Sequence, residues 1–217
     1  VIAGCASRVV VPEILDHLDF AHPDARRSRL DLRGVDFFLG GTRWIVGSAV
    51  RHAASAAAGI VELGAGEGRL CNALARRLPG CPVTGLDFAV PGCPLAPGVS
   101  WTTGDFFQTL SGTSGGIAVG SLILHHFERE ALRCLGELLR SFRVLIFSEP
   151  LRHPWPLVLA RLIRPLTGTV TRHDMPVSIR AGFRAGELGP LLGLDAGWKI
   201  VESSKVRGAM RFEAWRG

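Results

Sequence analysis

The sequence predicts a three-layer α/β sandwich of Rossmann-like type, with a seven-stranded, mostly parallel sheet that ends in an antiparallel hairpin. Three observations carry this reading. Apolar runs of strand length alternate with helix-period segments from residue 60 to residue 149, and such alternation builds a parallel sheet covered on both faces. The first run turns into a glycine-rich stretch, "GAGEG" at 64–68. The last two runs, "WKIVESSKV" and "MRFEAWR", have no helix between them, which predicts a terminal hairpin.

Residues 12–57 mix polar and apolar positions and close on the alanine-rich "RHAASAAAG". They are read as mainly helical, so that residues 1–57 cap a single domain spanning 1–217. "IVEL" (60–63) is the first strand. Leu70, Leu74 and Leu78 recur every four residues on the following helix, which Pro79-Gly80 stops. "PVTGLD", "VSWTTGD", "IAVGSLIL" and "RVLIFSE" are the next strands. Between the last two, "EREALRCLGELLR" places Ala131, Leu135 and Leu138 on one helical face. The chain carries no internal repeat and no low-complexity segment. The opening "VIAGC" has the form of a lipoprotein cleavage site, but without the charged and long apolar segments such a signal needs before it, the match is read as coincidence.

Composition bounds the partners. A chain of 217 residues with 47% hydrophobic and 20% charged residues is globular. The net charge of +6 is spread over scattered arginines, with pairs at Arg26-Arg27 and Arg76-Arg77. That balance suits anionic ligands without calling for nucleic acid. Five cysteines without a CxxC pair argue for reduced thiols in a cytoplasmic protein and against a zinc ribbon, so no metal site is expected. No uninterrupted apolar stretch is long enough to cross a membrane.

The turn at 64–68 then decides the cofactor class. Gly64-x-Gly66-x-Gly68 is neither the G-x-G-x-x-G of dinucleotide folds nor a P-loop, which needs Gly-Lys-Ser/Thr. Glu62 ends the strand and Glu67 stands in the turn. Two carboxylates there repel a pyrophosphate and suit an ammonium or a sulfonium. Asp87 ends the second strand, where an acid accepts hydrogen bonds from a ribose diol, and Asp105 follows the third. The alternative for each acid is a helix cap.

With these residues the segment Ile60–Glu149 resembles the class I S-adenosylmethionine-dependent methyltransferases. "VELGAGEG", "GLDF", "GDFF" and "IAVGSLILHHF" are similar to their four successive motifs. The likeness extends to small-molecule methyltransferases of the ubiquinone/menaquinone type through "FLGGTRW" (38–44) and "TRHDMPVSIRAGF". It implies S-adenosyl-L-methionine as cofactor, held by Glu62, Gly64, Ala65, Gly66 and Gly68 in the turn. Asp87 would take the ribose, with Phe88, Gly104, Asp105 and Phe106 around the adenine and Ser121 and Leu122 on the methionine side. The proline-rich "FAVPGCPLAPGVS" departs from the family pattern, which has a helix there, and predicts a more open adenine side.

Methyl transfer from a sulfonium asks for alignment and, for some acceptors, a base. The candidates at the expected mouth are His125, His126, Glu149 and His173. His153, Asp174 and Arg180 would contact the acceptor, with the loop bearing His173 and Asp174 as a lid wall. The absence of tyrosine excludes a phenolic base. The apolar 154–168 segment reads as a packed cap helix, as a greasy substrate lid, or as a membrane-facing surface whose arginines meet anionic head groups. The expected activity is methylation of a small lipophilic acceptor (quinone, polyketide or lipid-like) at O or C. The alternatives are a nucleic-acid or protein methyltransferase, and a non-catalytic member of the fold that works through a partner.

Overall fold

The computed structural model describes residues 5–111, 113 and 115–216; the first four residues of the "VIAGC" opening lie outside them. From Cys5 an extended segment leads through a one-turn 3-10 helix, Leu15–His17, into α1 (Pro23–Leu39), α2 (Gly41–Arg51) and α3 (Ala53–Ala56). There follow β1 (Ile60–Leu63), α4 (Arg69–Arg77), β2 (Val83–Asp87), β3 (Val99–Thr103), α5 (Phe106–Thr109) and β4 (Gly115–Ser121). A second 3-10 turn, Leu124–His126, precedes α6 (Arg129–Leu139) and β5 (Phe142–Pro150). Then come α7 (Pro154–Ile163) with a 3-10 turn Arg164–Leu166, α8 (Thr169–Ala181), α9 (Leu188–Leu191), β6 (Lys199–Ser204) and β7 (Ala209–Trp215).

The described strands form one seven-stranded sheet in the order β3-β2-β1-β4-β5-β7-β6. The first five are parallel, and β7 runs antiparallel to both β5 and β6. Alternation along β5 divides the core: Leu145 and Phe147 join the layer with Leu135, Phe183 and Phe212, while Val144 and Ile146 join that with Ile45, Leu74 and Ile117. Both faces of the central strands are therefore dry, which is why their sequences read as continuous apolar runs.

Three expectations need correction. Regular helix begins at Pro23, not residue 12; His22 caps it by accepting from the Asp24 N–H, and Pro23 supplies the first-turn φ. On α6 the buried stripe is Leu132, Leu135, Gly136 and Leu139, one residue round from the expected face. Gly136 lets the backbone at Leu192 pack directly on α6, since a Cβ there would meet the Leu192 carbonyl oxygen at 1.8 Å. The "RHD" segment is the helix α8 and not a loop. Pro176 deletes one helical hydrogen bond, but α1 and α7 pack on α8, and Val170, Thr171 and Ile179 are buried.

Candidate functional site

The carboxyl ends of β1, β2 and β4 open on a site built from three parts. The first is the turn after β1. Gly64, Gly66 and Gly68 hold φ of 62°, 54° and 79°, the left-handed region that favours glycine. A Cβ on Gly66 would meet nothing within 4 Å, so open space stands over the turn where a ligand can approach. Asp87 spans it: Oδ2 accepts from Gly66 N at 2.7 Å and Oδ1 from Ala89 N at 2.9 Å. A carboxylate has further lone pairs beyond these two bonds.

Three acids gather at these strand ends: Asp87, Glu62 and Asp36, close enough for the first and last to act on Glu62. Glu62 is fully buried, its Oε2 2.9 Å from the Cys71 thiol. Burial pushes its carboxyl up to about 8 against the help of that thiol, and the charges of Asp87 and Asp36 add to the rise. Glu67 does not belong to this group: Arg33 of α1 holds it in a two-bond ion pair, 2.8 and 2.6 Å. α1 thus lies across the turn. The junction of α1 and α2, Gly40-Gly41 of the "FLGGTRW" stretch, sits on the strand ends, where a Cβ on Gly41 would stand 2.7 Å from Asp36 Oδ1, 3.2 Å from Ser148 Oγ and 3.4 Å from Ser121 Oγ.

The residues expected around the adenine divide. Phe88 is exposed (71%) beyond β2, whereas the Phe106 ring is buried and packs edge-on against Phe127. Phe106 is therefore a core residue, because Asp105 starts α5 as its cap, accepting from Phe107 N at 2.9 Å, and turns the ring inward. Gly104 carries the chain into that cap at φ 146°. Residues 88–98 form no helix, as their prolines predict. The stretch is nevertheless tied down: Asn72 bonds Pro94 O and Ala96 N, Cys93 bonds Glu67 O, and Trp101 bonds Ala89 O. It closes against the start of α4, while Phe88 and Val90 stay exposed.

The second part is the turn after β4. Leu122 takes φ 56°, the one positive φ among the described non-glycine residues. Such backbone costs of the order of 1 kcal/mol and is held here by Glu149. That carboxylate is fully buried, with Oε1 accepting from Ile123 N (3.0 Å) and Leu124 N (2.9 Å) and Oε2 from His125 N (3.2 Å). Glu149 therefore anchors the turn and does not reach an acceptor, which corrects the expectation for it. Its Oε2 also meets His125 Nδ1 at 2.9 Å, and His125 Nε2 meets Glu13 Oε1 at 3.3 Å. Burial opposes a charge on this ring, but the bonds to Glu13 and Glu149 outweigh it and push His125 up to about 9. Its neighbour His126 is half-buried, with Nδ1 3.3 Å from Asp16 Oδ2.

The third part is a cavity of about 570 Å³ beside this turn. α1, α7 and α8 wall it with Leu30, Val35, Phe38, Leu159, Ile163 and Met175; Leu122, Glu13, Asp16, His125 and His126 form its polar end. The N-terminal segment completes it. Asp174 fixes that segment by accepting from Ile14 N and Leu15 N (2.9 and 3.0 Å), and Arg8 bonds the His125 and Ala181 carbonyls. Asp174 lines the cavity with its oxygens already committed, so its task is to pin the segment. His173 bonds Asp174 and is half exposed, His153 caps α7 through the Trp155 N–H, and Arg180 bonds Pro176 O within its own helix. None of the three lines the cavity, because α8 and the α7 cap turn them away from it.

Glu13, His125 and His126 bring donor atoms within 4.8 Å of one another. A divalent ion there would have to displace the proton that His125 shares with Glu13. Glu13, Asp16, Arg33 and Asp36 were not singled out in the sequence. The one signal for them is that acids and arginines recur through the 13–36 stretch.

No protein-family model and no curated protein sequence matches the chain. Solved structures do. The plantazolicin methyltransferase BpumL in complex with SAH matches with TM-score 0.71 at 11% identity, over 91% of this chain and 92% of that one. Human N-acetylserotonin methyltransferase in complex with SAM matches at 0.63 and 18% identity, over 95% of this chain and 60% of that one. The magnesium protoporphyrin IX methyltransferase from Synechocystis PCC 6803 with bound SAH matches at 0.55 and 20% identity, over 92% and 89%. The chain has the class I S-adenosylmethionine-dependent methyltransferase fold.

Proposed function

We propose that the whole chain, capped by residues 1–57, is one methyltransferase domain that transfers a methyl group from S-adenosyl-L-methionine to a small lipophilic acceptor. The observation that carries this is the junction of the two spaces: an apolar cavity whose polar end, at Leu122 and His126, adjoins the strand ends that bear the glycine turn. Neither a dinucleotide nor a nucleic acid suits that combination. The structures it resembles include proteins solved with SAH or SAM.

The residues present fit this cofactor. Open space over Gly66, beside the acids Asp87, Glu62 and Asp36, suits a ligand that carries an ammonium and a sulfonium. Asp87 would take the ribose hydroxyls, Glu62 and Asp36 the cationic end, and Ser121 the methionine side. Bound there, S-adenosylmethionine would supply a methyl group already activated by its sulfonium.

The chain's own work is to orient the acceptor and take its proton. Leu30, Val35 and Ile163 hold an apolar body and exclude water, which favours a single pose. His125 keeps its proton at neutral pH and is no base. His126 is the base: Asp16 faces Nδ1, leaving Nε2 for an acceptor hydroxyl or acidic carbon. The free thiols and the absence of a described helix able to cross a membrane go with a cytoplasmic enzyme, and a lipophilic acceptor extends the reading to contact with a membrane surface.

The test is a methyl-transfer screen over phenols, quinones, polyketide-like and lipid-like acceptors, with bulk RNA and protein as controls. Transfer to a lipophilic small molecule that Leu30→Asp or Ile163→Asp suppresses supports the reading. Transfer confined to RNA or protein contradicts it.

A further inference from the structure

We propose that the mouth of the apolar cavity docks on an anionic lipid bilayer, with α7, the 3-10 turn after it and the β6–β7 turn lying in the head-group layer. This rests on the cavity's being a lipophilic-acceptor site and names the phase from which the acceptor enters. Leu162, Leu166 and Val206 are 67%, 75% and 87% exposed, and Trp155, Leu30 and Phe38 are exposed with them. They form one patch. Trp155 Nε1 donates to Val206 O at 2.9 Å, Arg207 donates to Phe38 O at 3.1 Å and lies over its ring, and Arg27 donates to Leu166 O at 2.9 Å. Leu30, Phe38 and Leu166 also line the cavity, so the patch is its rim. An apolar patch continuous with an apolar cavity marks a surface that another apolar phase covers.

Charge says which phase. Residues 150–173 contain Arg152, Arg161, Arg164 and Arg172 and no acid; residues 203–211 contain Lys205, Arg207 and Arg211 and no acid. Arg152 is buried against Glu187, but Arg161, Arg164 and Arg207 stand exposed among the apolar side chains. The neighbouring Asp31 is paired with Arg27. Arginines at head-group level, leucines beneath them and a tryptophan at the boundary are the marks of a helix lying in the plane of a charged membrane. At ten residues, α7 is too short to span one. A protein partner would plug the cavity at the centre of this patch, whereas a lipid phase feeds it.

Co-sedimentation of the full chain with vesicles tests this, using phosphatidylcholine alone and phosphatidylcholine with phosphatidylglycerol in equal parts. The chain is expected to bind the mixed vesicles, to release them as salt rises, and to bind the neutral ones weakly. Leu162→Asp with Val206→Asp, both outside the cavity lining, should weaken binding about tenfold or more. Arg161→Glu with Arg164→Glu should remove the preference for the anionic lipid. A thermal melt of each variant shows that it is folded. Failure to sediment with the mixed vesicles overturns the proposal, as does unchanged binding by the Leu162→Asp, Val206→Asp chain. Self-association without vesicles that this double variant abolishes overturns it in favour of a second copy of the chain. SAH binding, measured on the same samples, keeps the two readings apart: a chain that binds the mixed vesicles but not SAH leaves the docking standing and overturns the methyltransferase reading.

Discussion

Asp16 faces His126 across 3.3 Å at the polar end of the apolar cavity, joining an N-terminal segment to the turn after β4. Burial opposes a charge on Asp16, but the His126 bond, the charges of both histidines and a backbone bond at Glu13 together hold its carboxyl below the usual range. A carboxylate so placed sets the tautomer of the ring and stabilises the imidazolium formed when the ring takes a proton.

His126→Ala is therefore expected to lower single-turnover methyl transfer by about 10²- to 10⁴-fold while leaving SAH affinity unchanged. Asp16→Asn should cost less and should move the acid limb of the pH profile. If both variants keep full turnover with an acceptor that needs deprotonation, the proton leaves by another route.

The pair Glu13–His125 sets a pH window for the N-terminal segment. His125, at about 9 in the folded protein against an ordinary 6.5, stabilises it fully below 6.5 and ceases to do so as pH rises through 9. Burial opposes the Glu13 charge, but the His125 and Ser178 bonds and the histidine charges together hold it below its ordinary 4.5, so its contribution is lost as pH falls beneath that value. Protection of residues 5–18 against hydrogen exchange, relative to the intrinsic rate at each pH, should be highest between these limits and fall on either side. Uniform protection across that range would contradict the role given to this pair.

Glu62 carries the opposite sign. Its carboxyl, raised to about 8 from 4.5, makes the folded chain hold a proton that the unfolded chain releases, so stability falls as pH rises from 4.5 toward 8. Glu62→Gln should stabilise the free protein by on the order of 2–3 kcal/mol near neutral pH, with little gain at acid pH. The same change should weaken binding of a ligand with an ammonium group. Urea unfolding of both chains at two pH values measures the first effect, and a variant no more stable than the parent contradicts it.

The ends of the parallel strands and the β1 turn were legible in the sequence because both are local. An apolar run bounded by glycine says where a strand ends, and Gly64, Gly66 and Gly68 say what backbone follows. The histidine pair was legible as a candidate, but not the division of labour within it. That depends on Glu13 and Asp16, more than a hundred residues away in the chain. Glu149 looked like an acceptor ligand because a strand's carboxyl end is where ligands bind; only the fold shows that three backbone N–H groups claim it first. Likewise the polar residues of "RHDMPVSIR" suggested a loop, while their helix is held by tertiary packing that propensity does not contain.

The central claim is that the space over Gly66 and Asp87 holds S-adenosylmethionine, and calorimetric titration of the chain with SAH tests it most directly. The account predicts saturable one-site binding that Asp87→Ala weakens about ten- to a hundredfold, the loss of a charge-assisted hydrogen bond to the ribose. Absence of binding by the parent chain, or an unchanged affinity in Asp87→Ala, would contradict it.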